Sequence, residues 1–105
     1  MMRLFLKEGF WIKGGHAADE NGKPISPTDN RAKYFSLYGS VIRTAAYHRV
    51  PSKLVHEVTL KAIKTLFPQH ESVIGFNDDP ATTYFDIEKV FHKILEIETG
   101  AKDFT

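Results

Sequence analysis

The chain has 105 residues, a mass of 11.9 kDa and a formal charge of +1, from fourteen Lys and Arg against thirteen Asp and Glu. A chain this size can bury about two-thirds of its extended surface, enough for one core without staples, and 42% apolar with 12% aromatic content fits a globular domain and argues against disorder. Balanced charge advertises neither nucleic acid nor a membrane surface, and the absence of Cys excludes disulfides, thiolate nucleophiles and cysteine-ligated metal.

The first residues, Met1 to Glu8, lack the apolar core of about 7–15 residues that a secretory signal needs. No apolar run reaches the roughly 18–20 residues that span a bilayer. A cytoplasmic protein without membrane contact is the expectation. Residues 1–13 fit either a short strand (Met2, Leu4, Leu6) or a short helix face (Met2, Phe5, Leu6). Next, Asn21-Gly22 is preferred chemistry for a turn with positive φ at both central residues, which predicts a small hairpin with Pro24 on its outgoing edge.

The first long helix is predicted from Ser26 to about His48, with Ser26 as N-cap, Pro27 in the first turn and Asp29 near the positive end of the dipole. Ala32, Phe35, Tyr38, Gly39, Ile42, Ala45 and Ala46 then form its core stripe, and Gly39 is read as the site of a close helix crossing. A second helix is predicted from Pro51 to Phe67 and ended by Pro68. It is apolar on two faces, as a central helix would be. Residues 69–82 read as a loop. Thr83 with Asp86 resembles a capping box that opens the last helix, whose face is Tyr84, Ile87, Val90, Phe91, Ile94, Leu95 and Ile97, with Gly100 as its stop. Together these predict one mostly α domain over residues 1–105, with three to four helices and a small N-terminal hairpin or flap.

Polar groups that could carry chemistry are few. The five His (His16, His48, His56, His70, His92) show no i, i+3 or i, i+4 pair, so no metal site is expected. Gly14-Gly15 lacks the Lys-Ser/Thr of a phosphate loop and reads as a turn. His16, Asp19 and Glu20 could supply a base and an orienting carboxylate, and Asn77-Asp78-Asp79-Pro80 a second polar cluster, although Asn and Asp before a helix commonly satisfy their own turn. The lysines of the second helix share their face with Glu57, which reads as a solvated face. Nucleic acid is therefore not favoured as partner, despite a superficial helix-turn-helix across Arg49-Val50-Pro51.

Three segments carry a resemblance: Trp11-x3-Gly15-x-Ala17-x-Asp19-x2-Gly22, Ala32-x2-Phe35-Ser36-Leu37-x-Gly39, and Phe76-Asn77-Asp78-x-Pro80-x2-Thr83. In order and spacing they resemble a family of small uncharacterised proteins from bacteria and their phages. The resemblance implies a fold outline and no activity. That family often has Cys where Ser36 stands here, which argues against a shared thiol nucleophile.

The leading expectation is a non-enzymatic domain that binds another macromolecule, with a protein partner and no cofactor, pictured as a phage or mobile-element accessory that modulates a host system. Phe10, Trp11 and Tyr47 are its candidate exposed anchors, since aromatic side chains dominate interface hot spots. The alternative is a small enzyme or ligand-binding domain with a pocket between residues 14–22 and 76–83, using His16, Asp19, Asn77 and Asp78. Convergence of those four side chains on one concavity would favour it. Trp11 and Phe76 each stand beside a loop and need a shared apolar neighbour. The 11–22 segment is therefore predicted to dock near residues 76–87, with the indole mostly buried and Asn77 or Asp78 bonded to loop backbone.

Overall fold

The computed structural model describes residues 6–98. Its helices are α1 (Leu37–His48), α2 (Ser52–Leu66), α3 (Val73–Asp78) and α4 (Tyr84–Glu98). They follow a largely irregular first third that holds a 3-10 turn (Glu8–Phe10) and two short strands, β1 (Ala17–Ala18) and β2 (Tyr34–Phe35). The expected class, mostly α with a small hairpin, is what the chain adopts.

The turn around Asn21-Gly22 forms, by a different geometry from the one expected. Only Gly22 has positive φ, +82°. Asp19 organises the turn: its Oδ1 accepts from the backbone N–H of Asn21 (2.9 Å) and of Lys23 (3.0 Å). Ala18 bridges to Pro24, but the paired partner of β1 is the more distant β2, antiparallel with Ala17 opposite Phe35.

That pairing corrects the predicted first helix. Residues 26–35 are not helical, and α1 starts at Leu37 with Ser36 as its N-cap, the hydroxyl accepting from Gly39 N–H at 3.0 Å. Ser26 Oγ caps only a local turn at Thr28 N–H, and Asp29 does the same at Arg31. The backbone amides of Lys33 and Ser36 donate to Ala18 and His16 carbonyls, which draws residues 33–36 into extended pairing. The buried stripe of α1 is accordingly Leu37, Val41, Thr44 and Ala45, while Tyr38 and Ile42 are half-buried and Ala46 is exposed.

α2 matches its predicted span and touches each of the other three helices. Its buried residues are Val55, Thr59, Ala62 and Ile63. Thr59 returns its hydroxyl to Val55 carbonyl at 2.7 Å, and Leu54, on an apolar face of the helix, is exposed. The predicted 69–82 loop contains α3, capped by Ser72 Oγ on Gly75 N–H at 2.9 Å. The capping box of α4 forms in both directions: Thr83 N–H donates to Asp86 Oδ2 (3.0 Å) and Asp86 N–H to Thr83 Oγ1 (3.3 Å). Gly100, its expected stop, lies outside the described residues. The main core joins Leu37, Ala62, Ile63, Val73, Phe76, Ile87, Val90 and Ile94, and a smaller one joins Val41, Ala45 and Val55. No described helix is long and apolar enough to cross a membrane.

Candidate functional site

The polar centre of the molecule is Asn77, 1% exposed, near the end of α3. Its Oδ1 accepts from Trp11 Nε1–H (2.6 Å) and from Leu37 N–H (2.9 Å), and its Nδ2 donates to Ile12 carbonyl (3.1 Å) and to Asp78 Oδ1 (2.9 Å). One side chain thus satisfies the first amide of α1, the indole and the segment beside it. Local sequence places it there: Ser72 starts α3 late enough that Asn77 falls on the face shared with buried Val73 and Phe76.

The neighbouring loop is fastened twice more. Gly14 N–H donates to Asp78 Oδ1 at 3.0 Å, and Lys13 Nζ donates to the carbonyls of Asp79 (2.7 Å) and Thr82 (2.9 Å). The Trp11 ring lies 5.9 Å from the Tyr84 ring, tilted by 56°. The 11–22 segment therefore docks at residues 76–87 through its Trp11–Gly14 end, and the indole is only partly buried.

Beside this seam is a small cleft of about 100 Å³ lined by Gly14, Gly15, His16, Ser36, Ile74, Asn77 and Asp78. It collects three of the four residues named for catalysis. Asp19 is not among them, because its carboxylate is spent on its own turn. Asp78 and Asp79 take separate partners: Asp79 Oδ1 accepts from Ala81 N–H and its Oδ2 sits 3.2 Å from His70 Nε2. The exposed His16 ring packs on Tyr38 at 4.8 Å, and His56 meets the same ring edge-on at 5.8 Å. Among the described residues, no three His, Cys, Asp or Glu are grouped to hold a metal ion.

The three aromatic anchors fare differently. Trp11, partly buried, is held by Asn77 and Tyr84. Phe10 is half-buried against Tyr34, with Lys33 Nζ over its ring at 5.7 Å. Tyr47 alone is open, 70% exposed at the end of α1. Two positions further along the chain stands a residue whose role the sequence did not reveal. Arg49, exposed, closes α1 in the left-handed region at φ +57°. Its signal was an absence, since no Gly stands where a helix end favours one.

Geometry of this kind describes a small, mostly helical domain whose irregular N-terminal segment is welded to the helices by one buried Asn. Residues 1–95 match a family of unknown function, DUF6197, and the chain belongs to that family. No curated protein and no solved structure matches it.

Proposed function

We propose that this protein is a non-enzymatic binding domain that engages another protein through the corner between α1 and α2, as a phage or mobile-element accessory acting on a host system. The observation that carries the reading is Arg49. A non-Gly residue in the left-handed region costs about 1–2 kcal/mol relative to its ordinary conformation, and glycine would cap α1 at no such cost. Backbone outliers of this kind cluster at functional sites. Tyr47, exposed beside it, shares with Arg the highest enrichment in interface hot spots. The enzyme alternative has less support. Its cleft is a third of the smallest typical ligand pocket of about 300 Å³, and Asn77 Oδ1 and Asp78 Oδ1 already accept from indole, backbone and side-chain amide donors.

The test is affinity capture from cells of the source organism, with wild type, Tyr47→Ala and Arg49→Gly as baits. A partner retained by wild type and lost from both variants, each melting no lower than a degree or two below wild type, is the expected outcome. Recovery of the bait alone, or equal recovery by all three, would overturn the reading.

A further inference from the structure

A groove of about 300 Å³ runs between α2 and α4, its walls including Leu6, Val58, Phe91 and Leu95, with Glu88 and Glu98 also lining it. This volume reaches the range of small-molecule sites, which combine apolar walls with a few polar groups. No Lys or Arg stands among its described lining residues, and His92 is the one side chain there that can become cationic. Glu98 contributes an oxygen, Oε1, that is shielded from solvent and has no hydrogen-bond partner. A carboxylate oxygen in that state is unfavourable until a donor or a cation meets it. Tyr84 cannot serve: it opens α4, fourteen residues and roughly 21 Å before Glu98 at 1.5 Å per residue, and its hydroxyl donates to Leu6 carbonyl at 3.1 Å. At that far end of the groove burial raises the Tyr84 pKa, and the negative charges of Glu88 and Glu8 raise it further.

We propose that the α2–α4 groove is a binding site for small apolar ammonium compounds, the apolar body lying on Phe91, Leu95 and Val58 and the ammonium donating to Glu98. Apolar walls alone would accept any hydrophobe. The acidic end selects the cation and rejects a carboxylate of the same length. Glu88 lies ten residues before Glu98, roughly 15 Å along the helix at 1.5 Å per residue, so it adds field and no contact. The site is separate from the α1–α2 corner, and neither proposal depends on the other.

The full chain is titrated with n-octylammonium, octan-1-ol and octanoate, followed by amide chemical shifts and calorimetry. Saturable binding of octylammonium, with shifts at Phe91 and Leu95 and an affinity about tenfold above octan-1-ol, is expected from one charge-assisted contact. Octanoate should bind more weakly than either. Glu98→Gln should remove the preference, so that octylammonium binds no more tightly than octan-1-ol. No saturable binding of octylammonium, equal binding of ammonium and alcohol by wild type, or a preference that survives Glu98→Gln would each overturn the proposal. The wild-type comparison decides the matter by itself if the variant does not fold.

Discussion

Asn77 is a fully bonded buried amide, and its worth lies in what its removal would orphan. Asn77→Ala leaves the Trp11 indole N–H, the Leu37 amide and the Ile12 carbonyl without their partner, at about 1–3 kcal/mol for each group that water cannot reach. Trp11 and Ile12 are only partly buried, so the sum is discounted to about 3–4 kcal/mol. At roughly 4–8 °C per kcal/mol, melting should fall by well over ten degrees. Asn77→Asp is the sharper probe. It keeps the acceptor, loses the donor to Ile12, and sets a second carboxylate against Asp78, so calorimetry should find it nearly as damaging as the alanine. Gly39 makes a similar point. An added Cβ would lie 1.8 Å from the His16 carbonyl oxygen. What it admits is the β1 segment and not another helix. Gly39→Ala should therefore destabilise by several kcal/mol, against the roughly 1 kcal/mol that alanine gains in a helix interior, whereas Gly9, with open space around it, should tolerate alanine. Arg31 beside Asp29 holds that carboxyl well down, at about 2, chiefly through the side-chain hydrogen bond and then the Arg31 backbone amide. Because the folded value lies below the ordinary 3.8, any stabilisation is complete above that value and is lost as pH falls through about 2. Carbon-detected titration should show Arg31→Ala returning Asp29 only part of the way, since the backbone donor remains.

At the scale of elements, caps decide where the helices stand. Ser36 and Ser72 each accept from the amide three residues on, and Ser-to-Ala at such positions costs about 0.5–2 kcal/mol. Ser36→Ala should fall at the upper end by thermal melting, because the same hydroxyl also reaches His16 carbonyl at 3.4 Å. Ser72→Ala should cost less globally and show mainly as faster amide exchange in α3, a single short helix. These caps also explain what was legible beforehand. α2 and α4 could be bounded from Pro51, Pro68 and the Thr83–Asp86 pair, signals that act within a few residues. The start of α1 was hidden because Ala32 and Phe35 continue the helical spacing past Ser36. Only pairing of Tyr34-Phe35 with the remote Ala17-Ala18 removes them from the helix, and a tertiary partner of that kind overrides local propensity. α3 was missed for the opposite reason: six residues with Gly75 among them are too few to show a period. The docking of Trp11 was legible because a lone indole beside a glycine turn has to find cover. That Asn77 would bond the indole itself, Ile12 and Leu37 together was not, since the register of α3 sets it.

For the whole molecule, the question is whether residues 6–36 form a flap on a self-sufficient helical bundle or a part of one cooperative unit. The segment supplies few buried side chains of its own, chiefly Ala17, Ala18 and Phe35. Yet it packs Leu6 and Trp11 against the main core, and it reaches α3 and the α3–α4 connection through Trp11, Ile12, Lys13 and Gly14. A detached flap would strip the indole cover from Tyr84 and return Asn77 half-bonded to the helices. That cost falls on the bundle, which couples the two parts. Aromatic-to-Ala changes in cores cost about 3–5 kcal/mol, and a partly buried Trp11 belongs near the lower figure. Trp11→Ala should then lower the far-ultraviolet melting of the helices by more than about ten degrees, with hydrogen-exchange protection reduced by a similar factor in α1, α3 and α4. Trp11→Phe should recover most of this, losing the 2.6 Å bond while Leu37 N–H continues to satisfy Asn77 Oδ1. If the helices of Trp11→Ala melted within a degree or two of wild type, with exchange raised only in residues 11–18, the segment would be a flap and the coupling through Asn77 would be absent.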